Sequence, residues 1–223
     1  MAIVIESVQQ TTNDASSISA TKPANIGTGD LIIAHVTRFD IGSTVTPADS
    51  WTLVSNLSVS TTAPQSLVYR RIATGSEPST YDFSFSSSTR NYVSILRITG
   101  QDEVSPVSAS SGQANSSAST TITAPTLTPT ANNLILFFTA SSTGFATVSG
   151  YTLTTSSPSF TESYDSATGG LGYSMAYGLR PESTATGSAT ATASISIRSI
   201  GQMIAIAPST AVATGSVFNG INF

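Results

Sequence analysis

The stretch Gly29-Asp30-Leu31-Ile32-Ile33-Ala34-His35-Val36-Thr37 decides the fold. A Gly-Asp turn signal opens it, and the dense apolar and β-branched run behind reads as a central strand buried on both faces. The pattern occurs twice, because Asn132-Asn133-Leu134-Ile135-Leu136-Phe137-Phe138-Thr139 repeats it. A duplicated central strand implies a duplicated fold.

Working outward from the two copies, further matches fall in order. Pro23 aligns with Pro125 at an offset of 102, Leu31-Ile32-Ile33 with Leu134-Ile135-Leu136 at 103, and Trp51-Thr52-Leu53 with Tyr151-Thr152-Leu153 at 100. From Ser66 to Gly100 an offset of 108 sets Ser66 on Ser174, Tyr69 on Tyr177, Leu96 on Ile204 and Ile98 on Ile206. The offset drifts in loops and the apolar positions stay in phase, as expected of two copies of one fold. Strands are expected at Ala2–Val8, Ser16–Thr21 (after an Asn13-Asp14 turn), Asp30–Arg38, Trp51–Val54, Ser66–Ala73, Tyr81–Ser86 and Tyr92–Thr99. About seven short strands per copy is the count of an immunoglobulin-like sandwich.

The fold class is therefore all-β with essentially no helix: two tandem immunoglobulin-like or jelly-roll β-sandwiches, Met1–Asp102 and Glu103–Pro208, related by internal duplication. One larger jelly roll with pseudo-twofold symmetry, in which neither half folds alone, is the alternative. Ser209–Phe223 then forms a C-terminal arm, whose Phe218, Ile221 and Phe223 are candidate partner contacts; folding back on its own domain is the other reading. Tyr81, Phe83 and Phe85 share a strand face that becomes Ala189, Ala191 and Ala193 in the second copy. Either that face is core in both and packed differently, or the first copy carries a sticky outer patch.

Composition narrows the function classes. Only 9% of the 223 residues are charged, the net charge is −4 without any acidic or basic block, and Lys22 is the only lysine. A nucleic-acid partner is not expected, since phosphates call for a clustered Lys/Arg surface. With 39% hydrophobic residues in strand-like runs, the chain has the means to build a core. There is no cysteine, so disulfides and thiolate metal sites are excluded. The start Met1-Ala2-Ile3-Val4-Ile5-Glu6 reads as a strand rather than a signal peptide, and no run is long enough for a membrane helix, so synthesis in the cytoplasm is expected.

Little in the chain points to chemistry. His35 is the only histidine, and a Ser-His-Asp triad would have to use it. The repeat supplies a control, because the equivalent residue is Phe138; His35 reads as a strand residue filling space that an aromatic fills in the twin. Calcium could use Asp40 with Asp49, or Asp102 with Glu103, but no spaced Asp-x-Asp-x-Asp-Gly pattern occurs, and Asp30 and Asp102 read as turn residues. Glu162 and Asp165 read as solvated hairpin charge. No cofactor, metal ligand or catalytic residue is assigned. Trp51 and Tyr151 follow Gly/Ser/Pro-rich loops and are candidates for stacking on a sugar ring, against the plainer reading of buried sandwich aromatics.

Three further segments are shared features of one pattern: Gly27-Thr28-Gly29-Asp30-Leu31-Ile32-Ile33-Ala34, then Val45-Thr46-Pro47 with Ser50-Trp51-Thr52-Leu53-Val54, then Leu67-Val68-Tyr69-Arg70-Arg71-Ile72-Ala73 followed by Gly75-Ser76-Glu77-Pro78. Together they resemble a β-rich family common among bacteriophage structural proteins and prophage regions, over roughly Gly27 to Pro208. The resemblance rests on strand starts and turns, is better in the first copy than the second, and carries no catalytic residue across. It implies a virion component, a capsid decoration or cement protein or an accessory neck or tail protein, contacting other virion proteins and its own copies. A carbohydrate-binding, host-recognition module on a phage fibre is the alternative.

Overall fold

The computed structural model describes residues 2–40, 42–59, 63–142 and 146–209. Among them the chain is all β. The first copy supplies β1 (Val4–Thr21), β2 (Leu31–Arg38), β3 (Val45–Pro47), β4 (Thr52–Ser58), β5 (Gln65–Ile72) and β6 (Thr80–Thr99). The second supplies β7 (Val107–Ala124), β8 (Asn133–Ser141), β9 (Val148–Leu153), β10 (Thr161–Thr168), β11 (Leu171–Arg180) and β12 (Ala189–Ile206). Each set forms one antiparallel sheet, in the orders β1-β6-β2-β5-β4 and β10-β11-β8-β12-β7, with β3 on β6 and β9 on β12.

Six strands per copy replace the expected seven: two anticipated breaks are bends within long strands, and the short β3 is an additional strand that was not expected. Asn13 and Asp14 do not turn the chain: they pair with Asn91 and Arg90, and β1 runs through them. The separate strands expected at Tyr81–Ser86 and Tyr92–Thr99 are likewise one strand, β6. A register shift between Ala15 and Ser17 marks where β1 and β6 bend together. Before the bend, β6 pairs with β3 and the end of β1; beyond it, with β2 and the start of β1. The bent part folds back over the sheet, and each copy becomes a sandwich of its own.

That bend explains the doubly buried central strand. Ile32, Ala34 and Val36 face the folded-over leaf, in a core with Tyr69, Tyr81, Phe83 and Phe85. Leu31 and Ile33 face the other way, into a core shared with Leu134, Leu136, Phe138, Ile204 and Ile206 of the second copy. All eight residues of β2 and all nine of β8 are buried. The sheets pack face to face with β5 against β8 and, reciprocally, β2 against β11. His35 meets its own counterpart Phe138 at a ring separation of 4.7 Å. Reciprocal contacts with a residue touching its own equivalent are the mark of an isologous, twofold arrangement.

The Tyr81, Phe83 and Phe85 face is core in both copies, so there is no outer sticky patch. Space lost at Ala189, Ala191 and Ala193 is recovered across the leaf: Phe137 stands in β8 where Ala34 stands in β2, in a core with Ala191 and Ala193. At that position large and small residues have exchanged sides, and Leu127 and Phe160 add further bulk to the second copy's core, in keeping with close packing.

Pairing corrects one part of the alignment. Leu31 pairs with Ile72 and Leu134 with Leu179, so β5 and β11 are offset by 107, not 108. Tyr69 thus corresponds to Ala176 rather than Tyr177, and Ser66 to Tyr173 rather than Ser174. A one-residue slip exchanges the two faces of a strand. Leu96 with Ile204 and Ile98 with Ile206 hold, since Leu31 pairs with Ile98 and Leu134 with Ile206.

Candidate functional site

His35 sits at the centre of the interface between the sheets and is fully buried. Its Nδ1 lies 3.2 Å from the Tyr164 hydroxyl and its Nε2 2.9 Å from Ser66 Oγ, with Thr37 Oγ1 3.2 Å away. Ser66 Oγ donates to Gln202 Oε1 at 2.9 Å, so it must accept from His35; the imidazole therefore carries its proton on Nε2, and Nδ1 accepts from Tyr164. Gln202 Nε2 continues the chain to Ser55 Oγ at 2.8 Å and the Ser66 carbonyl at 3.2 Å. His35, Ser66 and Ser55 come from the first copy, Tyr164 and Gln202 from the second. The chain stitches the halves together across a mainly apolar core, which Tyr173 also crosses by donating to Gln10 Oε1 at 2.8 Å.

Burial pushes the His35 imidazole down to about 3. The ring stays neutral above that value, and burial likewise raises the Tyr164 phenol. The expectation that His35 fills an aromatic's space holds in a stronger form: it fills space against that aromatic.

Trp51 and Tyr151 both turn inward. Trp51 packs edge-on to Tyr81 at 5.3 Å and against Phe83 at 5.7 Å, with the Arg71 guanidinium 5.5 Å from its ring centre. Tyr151 packs edge-on to Phe137 at 5.8 Å and donates to Ser174 Oγ at 2.6 Å. Burial, the larger influence, raises its phenol. Each aromatic packs against its own copy's core and keeps part of its surface exposed. Phe218, Ile221 and Phe223 lie outside the described residues.

The quoted motif around Arg71 resolves into a side-chain knot that strand reasoning alone did not anticipate. Arg71 bridges Asp49 at 3.2 Å and Glu77 at 3.1 Å, while its guanidinium lies 5.5 Å from the ring centres of both Trp51 and Tyr81. Glu77 also accepts from the Thr74 amide at 2.7 Å and the Tyr81 hydroxyl at 2.8 Å. These hydrogen bonds and Arg71 outweigh burial and hold the Glu77 carboxyl below its usual range. The recurrence of Trp, Arg, Glu and Tyr in one motif was the available signal.

The other carboxylates are similarly engaged. Asp40 lies 3.7 Å from Arg38, and Asp102 accepts from the amides of Val104 and Ser105 at 2.8 Å each, as a turn residue should. Asp30 pairs with Arg97 at 2.6 Å and accepts from the Gly27 amide at 2.7 Å. Asp165 accepts from the Val148 amide at 2.8 Å, although burial raises its carboxyl. Among the described residues no three His, Cys, Asp or Glu side chains gather as a metal site would require.

The edges of the two sheets remain. Among the described residues six strands pair on one side only: β1, β4, β7 and β10, and the short β3 and β9. β1 carries Glu6 and Asp14, β10 carries Glu162 and Asp165, and β4 has seven residues. β7 has eighteen residues and none is charged. Charges, prolines and brevity are three of the guards against edge-to-edge pairing, and β7 has none of these, although its pairing with β12 is interrupted by register shifts between Thr192 and Ser199. No family model, curated protein or solved structure matches the chain.

Proposed function

We propose that the protein is a structural component of a bacteriophage virion, a capsid decoration or cement protein or an accessory neck or tail protein, that acts by forming protein contacts rather than by catalysis. The setting comes from the resemblance of the Gly27–Ala34, Ser50–Val54 and Leu67–Pro78 segments. The mode of action is supported by one observation above the rest, the uncharged edge strand β7. Its backbone donors and acceptors offer a template for a further strand from another copy or another virion protein. The interior supports it too, since the chain's one imidazole and its motif aromatics are spent on packing.

Cryo-microscopy of purified particles tests the reading: density for this chain at regular positions is expected, and recovery only as free protein would overturn it. A variant with Ser110→Lys and Gln113→Lys, both exposed on β7, should lose incorporation into particles while its stability changes by about 0.5 kcal/mol or less.

A further inference from the structure

An apolar groove crosses the end of the molecule at which the described chain stops. One part, a cleft of about 560 Å³, is bounded by Ile3, Leu179, Pro181 and Pro208, and has Ser209 on its rim. A second part, of about 350 Å³, continues along Val4 and Ile5 past Tyr177 and Thr161. The two share Ile3 and Leu179 and so form one furrow, between β1 of the first sheet and β10 and β11 of the second. Its floor is the shared core, with Ile3 and Leu134 almost fully buried. Its walls present Leu179 at 54% exposure and Val4 at 45%, two of the more exposed large apolar side chains among the described residues. Apolar surface continuous with a core is where a covering segment gains most.

The chain delivers such a segment to the groove. The Ser209 amide donates to the Gly100 carbonyl at 2.9 Å, which fixes the point of departure at the rim. Residues 210–223 follow: no charge, and Val212, Val217, Phe218, Ile221 and Phe223 among them. Fourteen residues can span up to about 46 Å extended, ample for the furrow and for the bends that Gly215 and Gly220 permit. A segment tethered at the rim meets its groove at an effective concentration on the order of millimolar, which no separate chain matches in dilute solution.

We infer that residues 210–223 fold back on their own molecule and seat their apolar side chains, Phe218 among them, in the groove lined by Val4 and Leu179. This does not depend on the virion reading. If particles lack the protein, the groove and its occupant are unaffected, and if the groove proves empty, β7 keeps its role.

The absence of cysteine makes the test clean. Full-length chain carrying Leu179→Cys and Phe218→Cys, oxidised at micromolar concentration, should form a disulfide within one chain in most molecules. A control pair, Phe39→Cys with Phe218→Cys, should remain largely reduced, because Phe39 follows the opposite end of β2, about 26 Å away along the strand. In the otherwise unaltered chain, chymotrypsin should cut after Phe218 at least tenfold more slowly than in a Leu179→Asp variant. Equal cross-linking of both pairs, disulfide only between two chains, or equal cleavage rates would each overturn the inference.

Discussion

A buried histidine that accepts one hydrogen bond and donates another is a neutral linker. For His35, the folded value of about 3 lies below the ordinary 6.5, so the unfolded chain binds the extra proton first. Its contribution is complete above about pH 6.5 and is lost as pH falls towards 3, by up to about 1.4 kcal/mol per pH unit. Urea unfolding at pH 7 and pH 4.5 should show this loss. His35→Phe should remove that part of the loss, while costing about 1–3 kcal/mol at pH 7 because Tyr164 and Ser66 lose their partner. An unchanged pH dependence in the variant would count against the assignment. The repeat also supplies a charge experiment. Asn133 stands where Asp30 stands, and Ala205 where the paired Arg97 stands, so both members of the ion pair are absent from the second copy. Asp30→Asn alone should cost about 1–2 kcal/mol by leaving Arg97 half-buried and unpaired, and Arg97→Ala added to it should recover part of that in a double-mutant cycle.

At the scale of elements, what pattern can show is which residues prefer to be buried, and pattern carried much of the fold. The two runs Asp30–Thr37 and Asn133–Thr139 were legible as doubly buried strands, because an apolar run on both faces has no other home in an all-β chain. The bend in β1 and β6 was not legible. Asn13-Asp14 has the chemistry of a turn, yet cross-strand pairing with Asn91 and Arg90 holds it extended, so tertiary contact overrides local preference. The slip between β5 and β11 was hidden for a related reason: Tyr69 and Tyr177 look equivalent, but pairing places them on opposite faces. Compensation across the leaf gives an element-scale prediction. Phe83→Ala should cost about 3–5 kcal/mol and Ala34→Phe about 1–3 kcal/mol, but the double variant, which reproduces the arrangement around Phe137, should cost less than the sum by at least 1 kcal/mol, measured by urea unfolding.

Across the whole molecule, the duplication yields two sandwiches that share a third core. Of the candidate sites, the packing role of His35 was legible from its twin, whereas its link to Tyr164 and Gln202 depends on strands more than a hundred residues apart meeting across a sheet interface. No local pattern encodes that meeting. The shared core, with Leu31, Ile33 and Ile98 facing Leu134, Leu136 and Ile206, implies that neither copy keeps its full stability without the other. Trp51, the only tryptophan, reports on the first copy alone, because it packs on Tyr81 and Phe83. Phe137 belongs to the core private to the second copy. The decisive measurement is therefore urea unfolding of a Phe137→Ala variant followed by Trp51 fluorescence and by far-ultraviolet circular dichroism. Coupled copies predict that both signals shift together to a lower midpoint; a Trp51 transition that stays where it was, while the second copy melts early, would contradict the account.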